Sequence, residues 1–402
     1  PVSLALSCVL ASIALCLHAD NILLFALEKT GAADLFVCAF LGGAAALCLA
    51  VAVSAHDDEQ RRWSIGVGLA SAGAGIVFAL LLDALPAPMV SVCSGALLGF
   101  GLTCLLRQWG RFYRSFTFQG ALLNTGLSFL LSSLWWFAMV HAGTPFLFCL
   151  GLIVLVLSGG LPLLASDIVR ADEVRAGLRD REERWVPYVS IWQVMRQGWA
   201  AVVGLMFNFF VIGLTFWSLA AGLGSGIVPK PLAYVLVAVV VWRVAVRVRE
   251  PQGGMLEAFY RVALPVAATL MLASPLLSGL FPGVDGMVLS VLSYVGVATI
   301  NVLGLVVLFW SAKSSEVGFS KMFAAFCASC AASLALGMLT FQLLGPEASR
   351  GFALVLLVAY LAAVLLGEVW RAATRARAAE PSEPAGEPAC DCEAVDALEG
   401  GD

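Results

Sequence analysis

Long apolar runs recur along this chain, separated by short polar breaks. Twelve of them approach the ~20 residues that carry a helix across the hydrocarbon core of a bilayer. They fall at roughly 2–27, 33–55, 64–82, 88–106, 119–140, 144–165, 199–224, 231–246, 259–281, 286–310, 319–344 and 349–369. Several neighbours are joined by tight turns, such as HAGTP (His141–Pro145) and PGVDG (Pro282–Gly286), which predict antiparallel helix hairpins. The pattern therefore predicts an all-α membrane protein of twelve transmembrane helices.

Composition agrees. Of 402 residues, 61% are hydrophobic and 12% charged, where a soluble domain carries about 25% charged. Too little polar surface is left to face water on all sides. An ordinary soluble enzyme, a disordered chain and a nucleic-acid-binding domain are excluded for the span-bearing part.

Charge then gives direction. If the amino terminus lies inside, 20 of the 23 Lys and Arg fall in loops on that side, and only Lys29, Lys230 and Arg350 fall outside. By the positive-inside bias both termini are predicted to be cytoplasmic, in an inner (cytoplasmic) membrane. The formal net charge of −4 conceals a tail, Glu380–Asp402, with eight acids and no base. Its Pro, Gly and Glu content is that of a disordered linker. The chain opens at Pro1 in an apolar run with no charged leader. It is expected to be a fragment or a trimmed product, with 1–17 not a signal peptide.

The longest loop, 166–198, divides six spans (1–165) from six more (199–370); 371–402 forms a basic exit and acidic tail. Ser166 or Asp167 is expected to cap a connector helix, and Asp180 with Arg184 could pair on its surface. From Ser166 to Trp185 six acids face five bases, so this is no phosphate-binding patch. Six spans, a long connector and six spans resemble the layout of major facilitator folds. Packing signals agree: Gly66, Ser71, Gly73 and Gly75 line span three, while Gly95 and Gly99 form a GxxxG in span four near Gly101.

Ionisable or strongly polar residues inside a membrane are functional candidates by default. Few occur here. Span one carries His18, Asp20 and Asn21; His18 and Asp20, two positions apart, point about 200° apart on a helix and do not pair. If span one ends near Leu17, these three instead lie in the outer interface. Asn124 lies in span five, Asn208 and Thr215 in span seven, Asn301 in span ten. Trp135 and Trp136 share span five, and Phe209, Phe210, Phe216 and Trp217 share span seven. The candidate ligand set is His18, Asp20, Asn21, Asn124, Trp135, Asn208, Trp217 and Asn301. Interhelical hydrogen bonding and core packing are the competing roles. The eleven cysteines sit mostly in apolar runs as small hydrophobes. Neither Cys327-Ala-Ser-Cys330 nor Cys390-Asp-Cys392 has the surroundings of a zinc or thioredoxin-type site. No metal, cofactor or enzymatic function is expected.

Two classes of function remain. The loop after span two, SAHDDEQRRW (Ser54–Trp63), keeps Arg61 and Arg62 but lacks the glycines of the major facilitator signature, as does RVREPQGG (Arg247–Gly254) in the second half. Three features point elsewhere: WQVMRQGWAAVVGLMFNFFVIGLTFW (Trp192–Trp217), FYRVALPVA (Phe259–Ala267), and twelve spans followed by an Arg-rich exit. Together they resemble the membrane portion of LuxR-type transcriptional regulators of Eggerthella-like actinobacteria. The resemblance implies a small-molecule sensor whose DNA-binding helix-turn-helix would begin beyond Asp402. Span twelve would transmit binding through Glu368, Trp370 and Arg371–Arg377. The expected partners are the lipid bilayer, an unknown small-molecule ligand, and DNA only through a domain outside this chain. The alternative is a major-facilitator-type transporter of a small solute.

Overall fold

The computed structural model describes residues 2–17, 27, 31–53, 61–113, 116–141, 143–175, 203–215, 228–247, 253–272, 286–314 and 319–379. Eleven helices run through them: α1 (Val2–Leu17), α2 (Ala33–Val53), α3 (Arg61–Leu80), α4 (Ala87–Tyr113), α5 (Phe118–Val140), α6 (Pro145–Arg175), α7 (Val203–Thr215), α8 (Pro229–Arg247), α9 (Gly253–Met271), α10 (Gly286–Ser314) and α11 (Phe319–Ala379). Every expected span meets a helix. Among the described residues seven helices are long and apolar enough to cross a bilayer, and four further apolar helices are shorter. The last two expected spans both lie in α11.

Local chemistry sets the helix ends. Thr117 caps α5, its hydroxyl accepting from Gly120 N–H at 3.2 Å. Thr144 does the same for α6, accepting from Leu147 N–H at 3.2 Å, ahead of Pro145 at the first helical position. Between α5 and α6 the turn closes on Gly143 at φ 73°, open to glycine and strained for other residues. The break inside α11 has a similar origin. Gly345 takes φ 75° and ψ 172°, and Pro346 follows without an N–H to offer.

One boundary differs from expectation. Ser166 does not start a connector helix: α6 runs unbroken from Pro145 to Arg175, and the Ser166 hydroxyl bonds back to Leu163 O at 2.8 Å. The Arg-rich exit is helical to Ala379. Asp180, Arg184 and the tail 380–402 lie outside the described residues.

The chain forms two units, Pro1–Leu357 and Val358–Asp402. In the second, the described residues are helical to Ala379, and Leu365 and Leu366 are exposed. In the first, α1 packs on α4, α5 and α6; α2 packs on α4, and α3 packs on α4 and α6. Helix α5 also meets α8 and α10, which pack on each other, with α9 against α10. Leucines, valines and phenylalanines fill the interior, among them Leu6, Phe36, Leu98 and Phe148. The outer faces are equally apolar: Leu49 is 67% exposed, Val53 78% and Leu343 77%. In water such a surface would aggregate; hydrocarbon is the solvent it fits.

Glycines set the closest approaches. A Cβ at Gly95 or Gly99 would collide with the α2 backbone at Phe36 and Phe40, and one at Gly43 with Ala96 O of α4. Gly101 receives Gly68 and Ala72 of α3, and Gly75 receives Leu98. Gly66 and Gly73, part of the same expected small-residue surface, face open space. Helices α7 and α11 cross glycine on glycine, Gly213 against Gly337.

Candidate functional site

Hydrocarbon offers no hydrogen bonds, so buried polar groups must find partners within the protein. Most hydroxyls in the helices do so locally. Ser12 bonds to Cys8 O, Ser94 to Val90 O, Thr215 to Val211 O and Ser290 to Gly286 O, at 2.5–2.9 Å. The side chains that reach between helices, or find no partner, are candidates for more than packing.

Asn124 joins helices. Its Oδ1 accepts from Ser3 Oγ of α1 at 2.6 Å, and its Nδ2 donates to Gly120 O at 2.8 Å. Its own carbonyl accepts from Ser128 Oγ at 2.6 Å, and Ser128 Oγ lies 3.4 Å from Tyr113 OH on α4. Both functions of the amide are engaged, which fits a structural tie.

A second cluster lies where α5, α8 and α10 meet. Asn301 Nδ2 of α10 donates to Tyr234 OH of α8 at 3.1 Å. The Tyr234 ring stacks on Phe129 of α5, centroids 6.0 Å apart and planes 15° from parallel. One turn before Tyr234, on the same face of α8, Lys230 is 3% exposed. Its ammonium sits 3.9 Å from the ring centroid of Trp136, itself fully buried on α5. With Val241 against Gly126 these contacts form one antiparallel seam between α5 and α8. Each partner follows from helical spacing: Gly126, Phe129 and Trp136 share a stripe of α5, and Lys230, Tyr234, Val237 and Val241 a stripe of α8.

Asn208 of α7 is fully buried. Its Nδ2 donates to Gly204 O at 2.7 Å, but its Oδ1 accepts no hydrogen bond among the described residues. Leu205 of α7 faces Gly304 of α10. An orphan buried acceptor costs about 1–3 kcal/mol, and native structures hold few of them.

Of the eight sequence candidates, Asn301 joins the α5–α8–α10 cluster, Asn208 is buried on α7, and Asn124 lies apart with its amide satisfied. Trp135 is 38% exposed on the outer side of α5, while its neighbour Trp136 turns inward. His18, Asp20, Asn21 and Trp217 lie outside the described residues. Sequence reasoning missed Lys230, which it assigned to a loop, and the Phe129–Tyr234 pair. No group of three or more metal-ligating side chains converges among the described residues.

No protein-family model and no curated protein matches the sequence. Among solved structures the fold is similar to the crystal structure of the human organic anion transporter MFSD10 (TETRAN). The TM-score is 0.58 and the identity 14%, over 90% of this chain and 97% of that one. The likeness shows the fold: an all-α, multi-span membrane protein with a major-facilitator-like arrangement.

Proposed function

We propose that the chain is a major-facilitator-type carrier of a small organic solute, with both termini cytoplasmic and two six-span halves, 1–165 and 199–370, that move about a central site. The carrying observation is Asn208: a buried carbonyl with no donor among the described residues, on a helix that meets α10 at Leu205 and Gly304, is an acceptor held ready for a ligand N–H or O–H. Phe129 and Tyr234 offer an apolar, aromatic wall of the kind small-molecule sites use. Lys230 adds a buried positive charge. Burying an ammonium among membrane helices is costly, and a desolvated cation–π contact offsets about 2 kcal/mol of that. The set fits a small anion with an apolar body, and the transporter of similar fold is named for organic anions. Fold alone does not assign function, so the proposal stands on these residues. The LuxR-type reading draws no support from the fold comparison.

The test is uptake by reconstituted proteoliposomes, with fluorescent organic anions set against cations of matched size. Accumulation of an anion is expected, lowered at least severalfold by Lys230→Gln and by Asn208→Ala, with both variants folded by thermal melting. Folded protein that moves no member of the panel overturns the carrier reading. Saturable binding without uptake turns it toward a sensor.

A further inference from the structure

Four thiols converge where α2, α4 and α11 meet. Cys48 of α2 is buried in a cluster with Leu47, Val51, Cys104 and Ala324, and Cys327 and Ala328 of α11 pack against it. Of the α11 thiols it is Cys327 that packs against the cluster holding Cys48. Cys330 lies one turn further along α11. All of these are free thiols. Cys104 is drawn elsewhere: its Sγ donates to Ser64 O at 3.0 Å and lies 3.1 Å from Ser64 Oγ, which Gln108 Nε2 holds at 2.9 Å. Cys48 is thus left facing Cys327.

The setting suits oxidation. Reactive thiols occupy electropositive surroundings, and Arg107 of α4 supplies the charge, lying within electrostatic reach of Cys48. Its Nε donates to Ser320 Oγ at 3.2 Å, holding the guanidinium against the first turn of α11. Helix α2 precedes the connector 166–198 and α11 follows it, so a bond here links the two parts of the chain. The same helices come together again near Asp34 and Gln342. The thiols mark the end of α2 that leads to Val53.

We propose that Cys48 and Cys327 form an oxidisable clasp between α2 and α11, closed by hydrogen peroxide. The Cys48 sulfur attacks the peroxide. An S–O bond forms, the O–O bond breaks, and water leaves with the thiol proton, giving a sulfenic acid. The Cys327 sulfur then attacks that sulfur. The S–S bond forms, the S–OH bond breaks, and a second water carries off the Cys327 proton. Two thiols are oxidised by two electrons and one peroxide is reduced to two waters. Thiol reductants reverse the product. Clasped, α2 and α11 cannot part at this end. Under the carrier reading above, on which this consequence alone rests, uptake stops.

The full chain is purified, treated with hydrogen peroxide or left reduced, and then cut by a protease within the connector at 176–185. Non-reducing electrophoresis is expected to show two fragments from reduced protein. Peroxide-treated protein should give one band of full size that dithiothreitol resolves into two. Cys48→Ser and Cys327→Ser each abolish the linked band, and Cys330→Ser retains it. Mass spectrometry of the wild-type linked peptide reports the pair without any substitution. Two unlinked fragments after peroxide, or a linked peptide joining other cysteines, overturns the proposal. Uptake measured in parallel should fall severalfold and recover with dithiothreitol. A complete Cys48–Cys327 link with unchanged uptake removes the gating role, and absent uptake in reduced protein fails the carrier reading while the gel still tests the clasp.

Discussion

Gly99 and Gly73 allow the helix crossings to be tested with their own internal control. Both are glycines in apolar helices, and alanine at either gains the same intrinsic helix preference, about 1 kcal/mol. Their surroundings differ. A Cβ at Gly99 would fall on the Phe40 carbonyl of α2, far inside the 3.0 Å that real Cβ atoms keep, whereas one at Gly73 meets nothing within 4 Å. The obstruction at Gly99 is backbone, which cannot swing aside. Helices α2 and α4 must therefore separate, and a gap of about 0.5–1 Å already forfeits a quarter to a half of each dispersion contact. Phe36, Val37, Phe40 and Leu41, all buried, line that crossing. Overpacking of this kind typically costs about 1–3 kcal/mol. The propensity gain is common to both variants, so their difference isolates the steric term. Thermal melting in detergent should place Gly99→Ala roughly 2–12 °C below Gly73→Ala, taking about 2–4 °C per kcal/mol. Equal melting temperatures would refute the close approach of α2 and α4.

Tyr234→Phe leaves the half-buried Asn301 amide without its acceptor and should destabilise by about 0.5–1.5 kcal/mol; adding Asn301→Leu should recover most of the loss, and a double-mutant cycle by thermal melting that shows simple additivity would sink the pairing. Asn208→Leu removes a buried acceptor that has no donor among the described residues and should raise the melting temperature while lowering uptake at least severalfold; a variant that loses both stability and uptake would mark Asn208 as a structural residue.

Much of the fold was legible because lipid is a simple solvent. Runs such as 88–106 must be helical to satisfy their backbone, and helices followed in each case. The GxxxG at Gly95 and Gly99 identified a real crossing. The small residues of span three were less informative: Gly75 meets α4 and Gly73 meets nothing, since a small side chain permits an approach without requiring one. Ser166 was misread because a Ser-Asp pair caps a helix only where the preceding residues leave helical geometry, and the apolar stretch before it does not. Trp135 and Trp136 stand about 100° apart on the helix, and hydropathy alone could not say which faces inward. Lys230 was the main omission. Placed between Pro229 and Pro231 at the edge of an apolar run, it reads as a loop cation. The available signal was its rarity, as one of three bases expected on the outer side. Which residues meet across α5, α8 and α10 depends on chain pairings far apart in sequence, and a single sequence does not encode those in its local pattern.

The back-bonded hydroxyls carry a kinetic consequence. A bond from Ser94 to Val90 O, or from Thr215 to Val211 O, travels with its own helix. When one such helix slides past another, that bond need not break, and the activation barrier contains no electrostatic step from it. Friction then comes from the bonds that cross between helices, among them Ser3 to Asn124, Asn301 to Tyr234, Trp109 to Gly159 O and Arg107 to Ser320. Each should act as a brake on interconversion, so that its loss speeds exchange between conformers even where it costs stability.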